Sequence, residues 1–227
     1  CFSFHSLKNM STIGEGGMLT FNRDEWAPLI RPLTSIGAIY KRVPRAEERI
    51  GPYRKPAYTY GDHSAGAYSF DCEGPLVVGS NYRMSEAAAA VGSVQLRSLE
   101  GLNERRREIA RRLDEGLSGI EGVRVQVAPP GYKHIYHLYV FFYQPIHEGS
   151  NDEKEELIRI LDAEEGIEIC GRYFPIHLLP EVRAQGHAFG DCPVAEKVWF
   201  EQHVNLPIYP AMPDEHVDIM IDAVARA

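Results

Sequence analysis

The segment from Ser85 to Leu117 constrains the fold of this chain more than any other. Ser85 can cap a helix N-terminus, and Glu86 follows in the first turn, where the helix dipole favours a negative charge. After Ala87 to Ala90, apolar residues recur at Val91, Val94, Leu99 and Leu102. They continue at Ile109, Leu113 and Leu117, which are spaced by four. Gly116 and Gly119 mark the stop. The pattern predicts one long helix, broken near Gly101.

Beyond that helix, strand and helix signals alternate. Val123, Val125 and Val127 are spaced by two and predict a strand, and His134 to Tyr143 and Ile167 to Cys170 predict two more. Asn151 or Asp152 caps a helix carrying Leu157, Ile158 and Leu161, which Gly166 ends. Asp191 to His203 reads as a helix and Asn205 to Tyr209 as an extended piece. Pro213 opens the last helix, where Val217, Met220, Ile221 and Val224 follow the i, i+3, i+4, i+7 pattern. Together these predict an α/β or α+β subdomain from about residue 105.

Ahead of the long helix, Cys1 to Phe4 and Gly17 to Phe21 read as strands around a turn rich in Gly, Ser and Asn. Asp24 is the expected N-cap of a short helix to Leu33, with Pro32 near its end. From Arg42 to Gly79 periodicity is lost among Pro44, Pro52, Pro56 and Pro75. Such a stretch is either functional and packed over a partner surface or a variable surface insertion.

With 227 residues, 44% of them hydrophobic, the chain can build a sizeable core. Its net charge of -8 argues against a general binder of nucleic acid or anionic membranes, because phosphate contacts need a surplus of Lys and Arg. No apolar run is long enough to span a membrane. The basic run Arg105-Arg106-Arg107 with Arg111-Arg112 is interleaved with Glu104, Glu108 and Glu115, and Glu108 and Arg112 stand four apart. A solvated, salt-bridged helix face is expected there. Cys1, Cys72, Cys170 and Cys192 form no C-x-x-C pair and read as free thiols in a reducing cytoplasm. His134 and His137 would point to opposite faces of a strand, which argues against a metal pair.

Lys8 follows an apolar run and precedes Gly14-Glu15-Gly16-Gly17. A lysine amine attacks carbonyls only where its surroundings favour the neutral form. Small residues after it let the backbone approach a flat ligand closely. By spacing alone Lys8 is either a Schiff-base lysine or a solvated turn residue. Ser3 could donate to a phosphate oxygen and His5 could hold a polar substrate group. Asn81 and Arg83, just before the Ser85 helix start, could serve an anion there or form part of an ordinary turn and cap. His177 lies in the Pro175-Ile176-His177-Leu178 stretch, where a core or interface role is the default.

The segments SFHSLKNMSTIGEGGM (3–18), NYRMSEAAAAVGSVQL (81–96), ERRREIA (104–110), HLYV (137–140), PIHL (175–178) and NLPIYPAMPDEHVD (205–218) resemble the DegT/DnrJ-type sugar aminotransferases. That resemblance implies an α/β chain of the PLP-dependent transferase fold type I. Residues 1–104 would be the C-terminal part of the large PLP-binding domain with a linking helix, and residues 105–227 the small C-terminal domain. It implies pyridoxal 5'-phosphate as cofactor, bound as a Schiff base on Lys8, which also moves protons between carbons. Ser3 would bind the cofactor phosphate, and Asn81 would reach the phosphate in the neighbouring subunit of a homodimer. His5, His177 and Arg83 would line the substrate side.

The implied reaction moves an amino group from an amino acid, Glu or Gln, to a keto-sugar or keto-cyclitol in amino sugar biosynthesis. Relatives with His in place of the lysine are dehydratases, so Lys8 favours amino transfer. A dehydratase or synthase on the same scaffold, and a non-catalytic regulator, remain the alternatives. Tyr40 to Cys72 reads as an insertion relative to the family. The family's N-terminal part carries the phosphate loop, the stacking aromatic residue and the Asp on the pyridine nitrogen. This chain is therefore expected to be the C-terminal portion of a longer enzyme.

Overall fold

A computed structural model describes residues 1–34, 49–50, 53–54, 79–147 and 149–227. It divides into two compact units. The first holds Cys1–Ser6 and Ser11–Gly92, the second Leu7–Met10 and Ser93–Ala227.

In the first unit, β1 (Phe2–Ser3) pairs antiparallel with β2 (Gly17–Met18), Phe2 opposite Met18. Backbone bonds from Phe4 N to Gly16 O and from Ser6 N to Gly14 O carry the hairpin toward its loop. Gly14 stands at φ +95, a backbone region L side chains rarely adopt. A Cβ at Gly16 would lie 2.2 Å from Thr12 Oγ1, and Thr12 is fully buried. The glycine cluster thus serves both curvature and close approach. Asp24 does not cap the next helix: it opens a 3-10 turn, Asp24–Trp26, that leads into α1 (Ala27–Leu33). Of the stretch Tyr40 to Cys72, the structure describes only two short antiparallel strands, β3 (Arg49–Ile50) and β4 (Tyr53–Arg54). The rest of that stretch, Cys72 included, lies outside the described residues.

The long helix α2 runs without interruption from Glu86 to Leu117. Ser85 Oγ accepts a bond from the Ala88 amide, as its capping role requires. No break occurs at Gly101, because a single glycine costs a helix interior only about 1 kcal/mol, which the packing of the rest of the helix outweighs. The basic run divides by face. Arg105 bonds Glu108, Arg107 bonds Glu100 and Glu104, Arg111 bonds Glu115, and Arg112 bonds Asp214 and Asp218. Glu108 thus pairs with Arg105 rather than Arg112. Arg106 is only 8% exposed, and its Nε and Nη1 find no acceptor among the described residues. Adjacent helical side chains point about 100° apart, so three consecutive arginines cannot all face solvent beside a packed stripe.

The second unit is built on an antiparallel sheet in the order β5-β6-β7: β5 (Val123–Val125), β6 (Tyr139–Tyr143) and β7 (His203–Leu206). In register, Val123 faces Tyr143 and Phe141 faces Val204. Ile109, Leu113 and Leu117 of α2 are fully buried with Phe141, Val204 and Leu161. Val217, Met220 and Val224 of the last helix, α6 (Asp214–Arg226), join that core. Each such aliphatic side chain stabilises by about 1.5–3 kcal/mol.

Three sequence readings change here. The segment from His134 to Leu138 is not strand. Tyr136 has φ 42, its amide donates to His134 Nδ1, and the Ile135 carbonyl accepts from Asn9. Side chains have taken the groups a ladder would use. Among the described residues the Ile167–Cys170 segment pairs with no strand; β7, which takes in Asn205 and Leu206 of the expected extended piece and begins two residues earlier at His203, takes the place beside β6. After the short helix α4 (Pro180–Arg183), the Asp191–His203 helix is in fact α5 (Pro193–Lys197) continued by a wider turn, Val198–Gln202. Between Asp152 and Glu164, the helix α3 (Asp152–Arg159) likewise ends in a wide turn, Ile160–Glu164, before Gly166 at φ 70.

Candidate active site around Lys8

Lys8 lies in the turn between β1 and β2, but the contacts of Leu7–Met10 place that tetrapeptide with the second unit. Its neighbour Asn9 explains this. Asn9 Nδ2 donates to Asn103 Oδ1 of α2 at 3.0 Å and to the Ile135 carbonyl at 2.7 Å. Asn103 is itself only 6% exposed. Lys8 is half-buried, and its Nζ stands 3.3 Å from His137 Nε2. The Tyr173 ring lies 6.0 Å from the same Nζ, at the outer limit of a cation–π contact. Among the described residues no carboxylate pairs with Lys8. A turn lysine with a solvated role would expose its ammonium, whereas this one faces an imidazole and an aromatic ring.

His137 has its pKa pushed below the usual imidazole range. Burial is the main cause, and the positive charges of Lys8, Arg106 and Arg172 add to it. The ring is therefore neutral at pH 7. In the tautomer that carries its ring proton on Nδ1, Nε2 accepts from Lys8 Nζ.

The other expected site residues fall into separate groups. In the first unit Ser3 Oγ accepts from the His5 amide at 3.4 Å, and His5 Nε2 stands 3.5 Å from Glu15. Also there, Asn81 Oδ1 accepts from the Arg83 amide and from Arg83 Nε at 2.9 Å. That arrangement occupies the Asn81 carbonyl oxygen and leaves its amide nitrogen without an acceptor among the described residues. A donor so placed suits a phosphate oxygen.

His177, in the second unit, belongs to a 3-10 turn, Ile176–Leu178. Its Nε2 meets Glu196 Oε1 at 2.6 Å, and Glu196 is 3% exposed. The amides of Gly190 and Cys192 donate to the same carboxylate. Burial opposes ionisation of Glu196, but these bonds outweigh it and hold the carboxyl below its ordinary range. One nitrogen of His177 is thus committed to a structural pair. No hydrogen bond or ion pair joins His177 to Lys8 among the described residues.

Sequence reasoning gave no role to His137, Tyr173, Asn9 or Asn103. His137 and Asn9 lie within the family-like segments HLYV and SFHSLKNM. Asn103 and Tyr173 carry no local signal that would single them out.

The DegT/DnrJ/EryC1/StrS aminotransferase family matches residues 1–225 of the chain. The spore coat polysaccharide biosynthesis protein SpsC of Bacillus subtilis (strain 168) is 32% identical over 224 residues, 98% of this chain and 52% of SpsC. A dTDP-3-amino-3,4,6-trideoxy-alpha-D-glucose transaminase of Streptomyces venezuelae is 28% identical, over 98% of this chain and 48% of its own length. The crystal structure of S. venezuelae DesV in complex with a ketimine intermediate superposes with a TM-score of 0.75 at 27% identity, covering 99% of this chain and 50% of DesV. The chain therefore spans about half the length of the curated relatives it matches. By a match that runs almost from end to end, this chain is a member of the DegT/DnrJ/EryC1/StrS aminotransferase family.

Proposed function

We propose that the protein carrying this chain is a pyridoxal-phosphate-dependent aminotransferase that moves an amino group from an amino acid, Glu or Gln, to a keto-sugar or keto-cyclitol. The observation that carries this reading is the half-buried Lys8 amine, which faces a neutral imidazole and has no carboxylate partner among the described residues. The likeness to the Streptomyces dTDP-3-amino-3,4,6-trideoxy-alpha-D-glucose transaminase supports a nucleotide-linked keto-sugar as acceptor.

The residues present fit the cofactor. Lys8 Nζ would be the group that holds it covalently and would carry the proton that moves between neighbouring carbons. Bound pyridoxal phosphate supplies an electron sink for the carbanion formed at the reacting carbon. Ser3 and Asn81 each offer a donor for a phosphate, Asn81 acting across a homodimer. His5, Arg83 and the remaining nitrogen of His177 are assigned to the substrate side. The domain division at residues 104 and 105 belongs to the same proposal, the first part being the C-terminal part of the large cofactor-binding domain with its linking helix and the second the small C-terminal domain.

The test uses the whole protein with pyridoxal phosphate. Borohydride should trap the cofactor on Lys8, identified by peptide mass. With glutamate and a dTDP-linked keto-sugar, an amino sugar and 2-oxoglutarate should form, and Lys8→Ala should abolish both. A label on another residue, undiminished turnover in Lys8→Ala, or loss of water without nitrogen transfer would each reject the assignment.

A further inference from the structure

We propose that His137 is the positioning residue of Lys8: its Nε2 accepts a hydrogen bond from Lys8 Nζ and so sets the direction in which the amine points. The inference rests on the reading of Lys8 as the cofactor-bearing lysine, and names a residue that reading does not use.

Two linked contacts build the arrangement. The Lys8 side chain meets His137 at 3.3 Å, while the next residue, Asn9, bonds the Ile135 carbonyl at 2.7 Å. Residues 8 and 9 are thus tied to residues 137 and 135, and a side chain with four rotatable bonds is held at both its base and its tip. A second bond from Asn9 to Asn103 ties the same turn to α2. Among the described residues the His137 ring makes no other hydrogen bond, so it is not occupied by a competing structural role.

Charge explains why a histidine works here. Lys8, Arg106 on α2, and Arg172 all disfavour the imidazolium, and burial does so more strongly. The ring stays an uncharged acceptor and does not repel the ammonium beside it. A base held below its ordinary range is a poor receiver of an ammonium proton, so His137 orients the amine and the proton leaves by another route. A near-attack geometry of the nucleophile is worth a large factor in rate, and a lysine without a fixed tip would spend much of its time misdirected.

The test has two arms, both on the whole protein. In the first, the His137 ring is titrated by NMR without pyridoxal phosphate. Replacement Lys8→Met should raise its midpoint toward about 6.5, the ordinary histidine value. An unmoved midpoint overturns the contact. In the second, the rate at which pyridoxal phosphate becomes borohydride-trapped on Lys8 is followed. His137→Leu should slow trapping by about tenfold, the effect of one net hydrogen bond. His137→Gln, whose amide oxygen reaches the place of Nε2, should restore most of it. Unchanged trapping in the Leu variant, or equal loss in both, overturns the proposal. Should the Leu variant fail to fold, the titration and the Gln variant still decide. A wild-type protein that never carries label on Lys8 would instead reject the cofactor reading, and the titration would judge His137 by itself.

Discussion

Two glycines of the same helix should respond to alanine with opposite signs. At Gly116 a Cβ would lie 2.5 Å from Ile221 Cδ1 and 2.8 Å from both Cγ1 and Cγ2. Ordinary carbon contacts are about 3.5–4.0 Å, so all three atoms must retreat. Cδ1 can swing away, but Cγ1 and Cγ2 are bonded to Cβ of a β-branched residue and move only if χ1 or α6 itself moves. Overpacking of this kind costs about 1–3 kcal/mol, while alanine returns about 1 kcal/mol of helix propensity. The net expectation for Gly116→Ala is a loss of up to about 2 kcal/mol. At Gly101 the same methyl meets nothing within 4 Å. Gly101→Ala should therefore stabilise by about 0.5–1 kcal/mol. Urea unfolding at constant m-value reads both shifts. Combining Gly116→Ala with Ile221→Ala should cost less than the sum of the two, since the clash is counted only when both side chains are present. Equal stabilisation by the two alanines would refute the packing argument.

Two further expectations concern buried polar pairs. Tyr139, 1% exposed, donates its hydroxyl to Asp114 at 2.7 Å. Burial raises the Asp114 pKa and this bond opposes the rise. Tyr139→Phe should destabilise by about 1–2 kcal/mol, and a double-mutant cycle with Asp114→Ala should return most of that as coupling. For Glu196 the folded pKa is depressed, so its contribution is complete above the unfolded value of about 4.3 and is lost as pH falls through the lower folded value. Hydrogen exchange at the Gly190 and Cys192 amides should accelerate only below that range. Glu196→Gln should remove the acid transition, and a transition that survives it would assign the effect to another group.

The elements with strong local periodicity were legible. The stripe Ile109, Leu113, Leu117 and the set Val217, Met220, Val224 are all buried, because a helix places such residues on one side whatever its neighbours are. The β1–β2 hairpin followed from two apolar runs around a glycine-rich turn. The failures came where an apolar run had no period to arbitrate its state. Ile167 to Cys170 has strand composition, yet ladder bonds on that side of β6 went to β7 instead. His134 to Leu138 is rich in bulky residues, but a left-handed Tyr136 and side-chain competition for its backbone groups stopped the strand short.

For the site, the sequence by itself offered a candidate reacting group: Lys8, an amine after an apolar run and followed by small residues, within segments that resemble the family. It also determined the charge balance and the long helix. Only the tertiary structure decided what surrounds that amine. His137 lies 129 positions from Lys8, and no spacing rule links residues so far apart. Their meeting depends on the Asn9 bonds and on where β6 begins. The same holds for Arg106, one of three adjacent arginines that read alike in sequence, and for His177, whose partner Glu196 comes from α5. Periodicity is a property of the chain within a few residues. The environment of a side chain is set by elements brought together from far along it.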